Sequence, residues 1–195
     1  MPTAIVSACD ANYAELQALT APTIHGYAER HGYAALVSIY GETKRAPSWY
    51  KLVQIQEAFN QGYDTVLWVD TDAIIVNFSI TVESLLRPGK TFYHSNNWYG
   101  MNCGVMILRD CIDVRRLLRA AWGQTHLIDH PWWEQAAIMA LTSHGHFPAD
   151  QIEEVPAAIL NSEEYYGGCL VYHMPDTPLR ERFKRFGRIL SKENR

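Results

Sequence analysis

Apolar residues fall along this chain in two alternating patterns. Short continuous runs cover residues 4–9, 34–40 and 66–69, the length and texture of strands buried on both faces. Between them, Tyr13 to His31 and Ser48 to Phe59 carry apolar positions at helical spacing. The order is strand, helix, strand, helix, strand. Such an opening predicts an α/β fold with a mainly parallel central sheet flanked by helices, and a ligand site at the carboxyl ends of the strands. Farther on, Thr91 to His94 reads as a short strand, and Gly100 to Leu108 as a glycine-containing loop entering another buried strand. Gly104 there signals close backbone approach. Asp110 precedes a predicted helix from Cys111 to Trp122 whose core stripe is Val114, Leu117, Leu118 and Ala121. Pro131 opens a second, Trp132 to Thr142, which places Glu134 and Gln135 in its first turn, where an acid suits the helix dipole.

The chain's 195 residues, 48% of them hydrophobic, fit one domain with one sizeable core. The pattern assigns residues 1–178 to that domain and 179–195 to a basic tail. Residues 180 to 195 hold seven Lys or Arg (Arg180, Arg182, Lys184, Arg185, Arg188, Lys192, Arg195) against Glu181 and Glu193. The other 179 residues then carry ten basic and nineteen acidic side chains, a net of −9. Leu179, Phe183, Phe186 and Leu190 recur at helical spacing, so the tail predicts an amphipathic helix. It either docks on the acidic domain or lies on a membrane surface. No apolar run approaches the roughly 20 residues needed to span a bilayer, and the first strand starts without a basic leader, so a cytoplasmic location is expected, with peripheral membrane contact through the tail as the alternative. Cys9, Cys103, Cys111 and Cys169 lack paired spacing and are expected to be free thiols.

The candidate chemistry centres on Val66-Leu67-Trp68-Val69-Asp70-Thr71-Asp72-Ala73-Ile74-Ile75. Two acids interrupt an otherwise apolar stretch, and a carboxylate on buried surface is costly unless paired or metal-bound. Asp70 and Asp72 can converge along an extended chain or around a turn. Such a pair suits Mg²⁺ or Mn²⁺ held together with a diphosphate. The competing reading makes them caps or ordinary ion pairs. Asn96, Asn97, Trp98 and Tyr99 form an amide and aromatic cluster suited to carbohydrate, which Trp132 extends. Trp133 is expected in the core. His144 and His146 lack further ligands at metal spacing and read as a surface loop.

Several ordered blocks stand along the chain: Tyr27-Ala28-Glu29-Arg30-His31-Gly32-Tyr33, Trp49-Tyr50-Lys51-Leu52, Leu67 to Ile75, Asn102 to Asp110, Glu134-Gln135, Asn161-Ser162 and Val171-Tyr172-His173. In this order they resemble one family, the retaining galactosyl, mannosyl and xylosyl transferases of the fungal and plant Golgi, which have the GT-A nucleotide-sugar fold, a Rossmann-like single domain with a strand-end DxD motif. Together with Ser7 they span nearly the whole chain. Two departures stand out: no membrane anchor or stem like that of the Golgi members is expected here, so a Golgi location is not inherited, and Met174-Pro175-Asp176 follows His173 where the family has a glycine.

The resemblance implies that Asp70, Asp72 and His173 hold Mn²⁺ or Mg²⁺. It places Ser7, Ala8, Cys9, Asp10, Tyr13, Lys51, Thr71, Asn102 and Gly104 against the nucleotide sugar, with Lys51 adding charge to the phosphates. Gln135 and Glu134 become the catalytic pair, Gln135 at the anomeric face and Glu134 orienting a hydroxyl. A neutral amide is a poor nucleophile, which favours front-face transfer with retention over double displacement. Plainer readings accompany these: Lys51 facing solvent, His173 and Tyr13 in the core, Glu134 as a helix-start acid. The expected donor is a nucleotide diphosphate sugar and the acceptor a glycan or glycolipid; no nucleic-acid partner is expected. The alternatives are a lapsed enzyme on the same fold and a phosphatase using Asp70 as nucleophile.

Overall fold

The computed structural model describes residues 2–41 and 43–193. Its elements are β1 (Thr3–Cys9), α1 (Ala14–His31), β2 (Ala34–Ile39), α2 (Tyr50–Asn60), β3 (Thr65–Val69), β4 (Ala73–Ile75), α3 (Val82–Leu85), β5 (Phe92–Asn97), β6 (Gly100–Arg109), α4 (Ile112–Trp122), α5 (Trp133–Ser143), β7 (Ile152–Glu154), β8 (Asn161–Ser162), β9 (Val171–His173) and α6 (Leu179–Glu193). Six strands form the central sheet in the order β2-β1-β3-β6-β5-β7. Three of its five pairings among the described residues are parallel; β6 runs antiparallel to both β3 and β5. The expected loop at Gly100 is already strand, because the Asn97–Gly100 pair starts a hairpin there, with Trp98 and Tyr99 at its tip.

Strand alternation divides the core between the sheet's two faces. Ala4, Val6, Val66, Trp68, Met106 and Leu108 pack with α2, α4 and α5 through Leu52, Ile55, Leu117 and Ile138. Ile5, Leu67, Val69, Val105 and Ile107 pack with Ile24, Tyr27 and Ala28 of α1. Because both faces are covered, β1 and β3 read as unbroken apolar runs. A second sheet, β4-β9-β8, receives the other half of the interrupted stretch and shares the α1 side of the core through Ala73, Ile75 and Val171.

The carboxyl tail is helical and lies on the domain. Phe186 and Ile189 are buried with Leu16, Ile74, Tyr172 and Met174, while Phe183 and Leu190 lean on that cluster. From Phe183 onward the apolar stripe thus faces protein, while Leu179 is exposed, and the exposed Arg180, Lys184, Arg188 and Lys192 carry the positive charge. Arg195 lies outside the described residues. No helix among the described residues is long and apolar enough to cross a membrane. All four cysteines are free, with Cys9, Cys103 and Cys169 buried.

Candidate functional site

Parallel pairing brings the ends of β1 and β3 side by side, so Asp10 and Asp70 leave the sheet along one edge. Between the two sheets, Asp70 to Ala73 form a turn: the Asp70 N–H donates to the Gly104 carbonyl (2.8 Å) and the Ala73 N–H to the Asp70 carbonyl (3.1 Å). The Thr71 hydroxyl donates to the Ala8 carbonyl (3.4 Å), and the Thr20 hydroxyl to the Thr71 carbonyl (3.2 Å). The convergence of the acids therefore comes from a turn that links two sheets. Beyond it, Ala73 pairs with His173, and the Met174 N–H reaches the Asp72 carbonyl at 2.9 Å.

Asp70, Asp72 and His173 each present a ligand atom within 4.8 Å of the others. The His173 ring is buried; its Nε2 is 3.2 Å from Asp72 Oδ1, and its Nδ1 has no hydrogen-bond partner. Gly104 makes room for this ring, since a Cβ added there would sit 2.1 Å from His173 Cε1. Two hard carboxylate donors, an imidazole and an orphaned buried ring nitrogen fit a divalent cation of the Mn²⁺ type. Burial alone would raise the Asp72 carboxyl, but His173 and Arg182 outweigh it and hold the carboxyl below its usual range. Burial pushes the Asp70 carboxyl up, against the opposing pull of Lys51.

Each acid has a further partner. Asp70 Oδ1 accepts from the Trp68 indole N–H (2.6 Å) and lies 3.1 Å from Lys51 Nζ. Lys51 is 3% exposed and also reaches Glu134 Oε1 (2.9 Å) and the Cys103 carbonyl (3.0 Å). Its three ammonium hydrogens are taken by these groups. The solvent-facing alternative gives way to an internal counter-ion, because residue 51 falls on the buried face of α2 with Leu52 and Ile55. Burial would lower the Lys51 ammonium, yet Asp70 and Glu134 hold it above its ordinary value.

Asp72 Oδ2 meets Arg182 at 2.7 Å, and Arg182 Nε donates to the Met174 carbonyl at 3.0 Å. Sequence reasoning counted Arg182 only among the tail's charges. The signal that could have found it is its place one turn before Phe186, on the edge of the apolar stripe. Between them, Asp176 adopts φ 50, a conformation glycine takes freely and Asp tolerates better than most residues. It does so in the stretch where the sequence lacks a glycine.

A pocket of about 730 Å³ opens over these groups, a size usual for small-molecule sites. Its walls include Ala8, Cys9, Asp10, Tyr13, Lys51, Asp70, Thr71, Asp72, Asn102, Gly104, Glu134, Gln135, His173 and Arg182. Ser7 is not among them; it is buried in β1. Burial pushes the Cys9 thiol up to about 11, so it is a neutral wall group that donates to Gln17 Oε1. Asp10 caps the short turn that follows β1 through the Asn12 N–H (3.1 Å). Tyr13 is exposed at the rim, with the Arg182 guanidinium 6.0 Å from its ring centre. Asn102 Oδ1 accepts the Gly104 N–H (2.8 Å) and shapes the strand where it passes His173.

Glu134 is buried at the start of α5 against Lys51, where an acid serving only the helix dipole would stay in water; its Oε2 has no partner. Gln135 Oε1 accepts the Cys103 N–H (2.9 Å), which fixes the side chain and leaves its NH₂ to donate. Trp133 is 44% exposed and lines the pocket, contrary to its expected core position. Its φ of 43 precedes regular helix geometry and turns the ring outward. His144 is exposed, its Nδ1 bonded to the Ala140 carbonyl, and His146 is exposed nearby.

No protein-family model matches this sequence, and no curated protein matches it. Among the solved structures similar to this chain are two glycosyltransferases. One is a glycosyltransferase involved in glycosylation of the major capsid of PBCV-1, at 19% identity and TM-score 0.76, covering 96% of this chain and 100% of that one. The other is a mutant Drosophila β-1,4-galactosyltransferase 7 in complex with manganese, UDP-Gal and xylobiose, at 12% identity and TM-score 0.55, covering 95% and 74%. The likeness extends over the whole domain and establishes the GT-A type of α/β fold.

Proposed function

We propose that this chain is a metal-dependent retaining glycosyltransferase that moves a hexose or pentose from a nucleotide diphosphate sugar to a glycan or glycolipid. The observation that carries the reading is the Asp70, Asp72 and His173 donor set, with its unpartnered ring nitrogen, at the strand-end pocket of a GT-A fold. A GT-A neighbour bound to manganese and UDP-Gal supports it by analogy.

Asp70, Asp72 and His173 would hold Mn²⁺, which supplies Lewis-acid neutralisation of the departing diphosphate. The chain's own groups do the rest. Ala8, Cys9 and Asp10 form the wall for the nucleoside, with the Tyr13 ring available to stack on the base. Arg182, already beside Asp72, adds a fixed positive charge where phosphate charge builds. Gln135, held by the Cys103 N–H, presents its NH₂ to the anomeric side of the sugar. Glu134 is tied to Lys51 and serves as a hydroxyl acceptor. It adjoins Gln135 in the pocket wall, and its tether to Lys51 disfavours it as a covalent nucleophile. Front-face transfer, in which the leaving phosphate takes the acceptor proton, fits this arrangement.

The test is release of nucleoside diphosphate from a panel of nucleotide sugars, with and without Mn²⁺. One donor is expected to turn over with Mn²⁺, and Asp72→Asn to lower the rate at least a hundredfold while circular dichroism stays unchanged. Full activity in Asp72→Asn would refute the assignment.

A further inference from the structure

Aromatic surface at the pocket mouth is not used by the metal and nucleotide chemistry. Tyr99 stands at the tip of the β5–β6 hairpin, and Trp132 and Trp133 come immediately before Glu134. All three line the pocket, yet they are 63%, 41% and 44% exposed. The Tyr99 and Trp132 ring centres lie 6.3 Å apart with planes inclined at 52°. Trp133 holds its left-handed backbone at a cost on the order of 1–2 kcal/mol for a residue with a Cβ. That conformation turns its ring out while Glu134, the next residue, turns in against Lys51.

Polar groups around the rings narrow the occupant. Asn97 donates to Glu163 Oε1 (2.9 Å) and accepts the Tyr99 N–H (2.9 Å), which places an amide and a carboxylate beside the aromatic faces. Deeper in the wall, Glu134 Oε2 is buried without a partner, and a ligand hydroxyl is the donor that satisfies it without adding charge. The pocket's Lys51 and Arg182 are committed to Asp70, Glu134 and Asp72. A phosphate or sulfate group on the shelf side would meet no free Lys or Arg among the described lining residues. Apolar faces alternating with hydroxyl-pairing groups, and no counter-charge for an anion, are the recognition chemistry of an uncharged sugar.

We propose that Tyr99, Trp132 and Trp133 form a shelf for the ring face of a neutral oligosaccharide acceptor, one of whose hydroxyls donates to Glu134 Oε2. The inference rests on the transferase reading and narrows its acceptor to a neutral glycan, recognised through its sugar rings and not through a charged lipid headgroup.

The experiment titrates the protein, in Mn²⁺, with neutral oligosaccharides, acidic oligosaccharides and phosphatidylcholine vesicles containing phosphatidylglycerol, following tryptophan fluorescence. Mn²⁺-dependent binding of nucleoside diphosphates is measured in parallel on every variant. A neutral oligosaccharide is expected to bind. Trp132→Ala and Trp133→Gly weaken it at least tenfold, about 1.4 kcal/mol, with nucleotide binding unchanged. Glycine takes the left-handed backbone without strain, so Trp133→Gly removes only the ring, and Trp133→Phe restores part of the affinity. Equal glycan affinity in the variants would overturn the shelf, as would binding confined to acidic glycans or vesicles, or no neutral glycan bound at all. If nucleotide binding persists in that last case, the shelf alone falls; if it is missing too, the transferase reading falls with it.

Discussion

Asp70 and Asp72 sit two residues apart but face different basic partners: Lys51 below one, Arg182 beside the other, with His173 between the carboxylates and the second sheet. An ion pair and a metal site are therefore not rival readings of these acids. The pairs hold the carboxylates in place, and the orphaned His173 nitrogen is what an ordinary ion-pair cluster would not leave. Gly104 is the residue that permits this packing. Gly104→Ala drives a methyl into the His173 ring, so Mn²⁺ affinity should fall at least tenfold and stability by about 1–3 kcal/mol. Mn²⁺ titration and thermal melts check both, and wild-type affinity would show that the ring does not ligate. The acids, and the close approach at Gly104, were legible in the sequence because each interrupts an apolar strand. Lys51 was named as a candidate, but its pairing with Asp70 and Glu134 was not legible, since helical periodicity marks a buried face but cannot tell whether a lysine on it bends to solvent or to a buried acid.

Among the elements, α6 shows most clearly what periodicity can and cannot say. Its apolar stripe was visible, but the surface that receives it was not. Leu16, Ile74, Tyr172 and Met174 come from α1, β4 and the end of β9, distant segments that meet only in the fold. For the same reason Arg182 looked like one more solvated charge until docking brought it to Asp72. Phe186 is fully buried there, so Phe186→Ala should cost about 3–5 kcal/mol, read as a lower denaturant midpoint. An unchanged midpoint would mean that α6 does not dock in solution. The hairpin at Trp98 and Tyr99 and the outward ring of Trp133 were misread in a related way. Pairing of β5 with β6 and the positive φ at Trp133 are set by tertiary contact and leave no periodic trace.

At the scale of the whole molecule, the opening βαβαβ unit predicted the class of fold and the edge at which the site lies, because strands covered on both faces deliver their next residues to a common crevice. The antiparallel β6 and the small second sheet escaped that logic, yet they supply Gly104 and His173. The site exists because two sheets meet at one turn. Calorimetry of the intact chain against a panel of nucleoside diphosphates, with and without Mn²⁺, tests this account most directly. Binding of at least one nucleotide that requires Mn²⁺ and disappears on adding a chelator is the predicted result. Nucleotide binding indifferent to Mn²⁺, or none with any nucleotide, would contradict the assignment of Asp70, Asp72 and His173 to a metal that carries the donor.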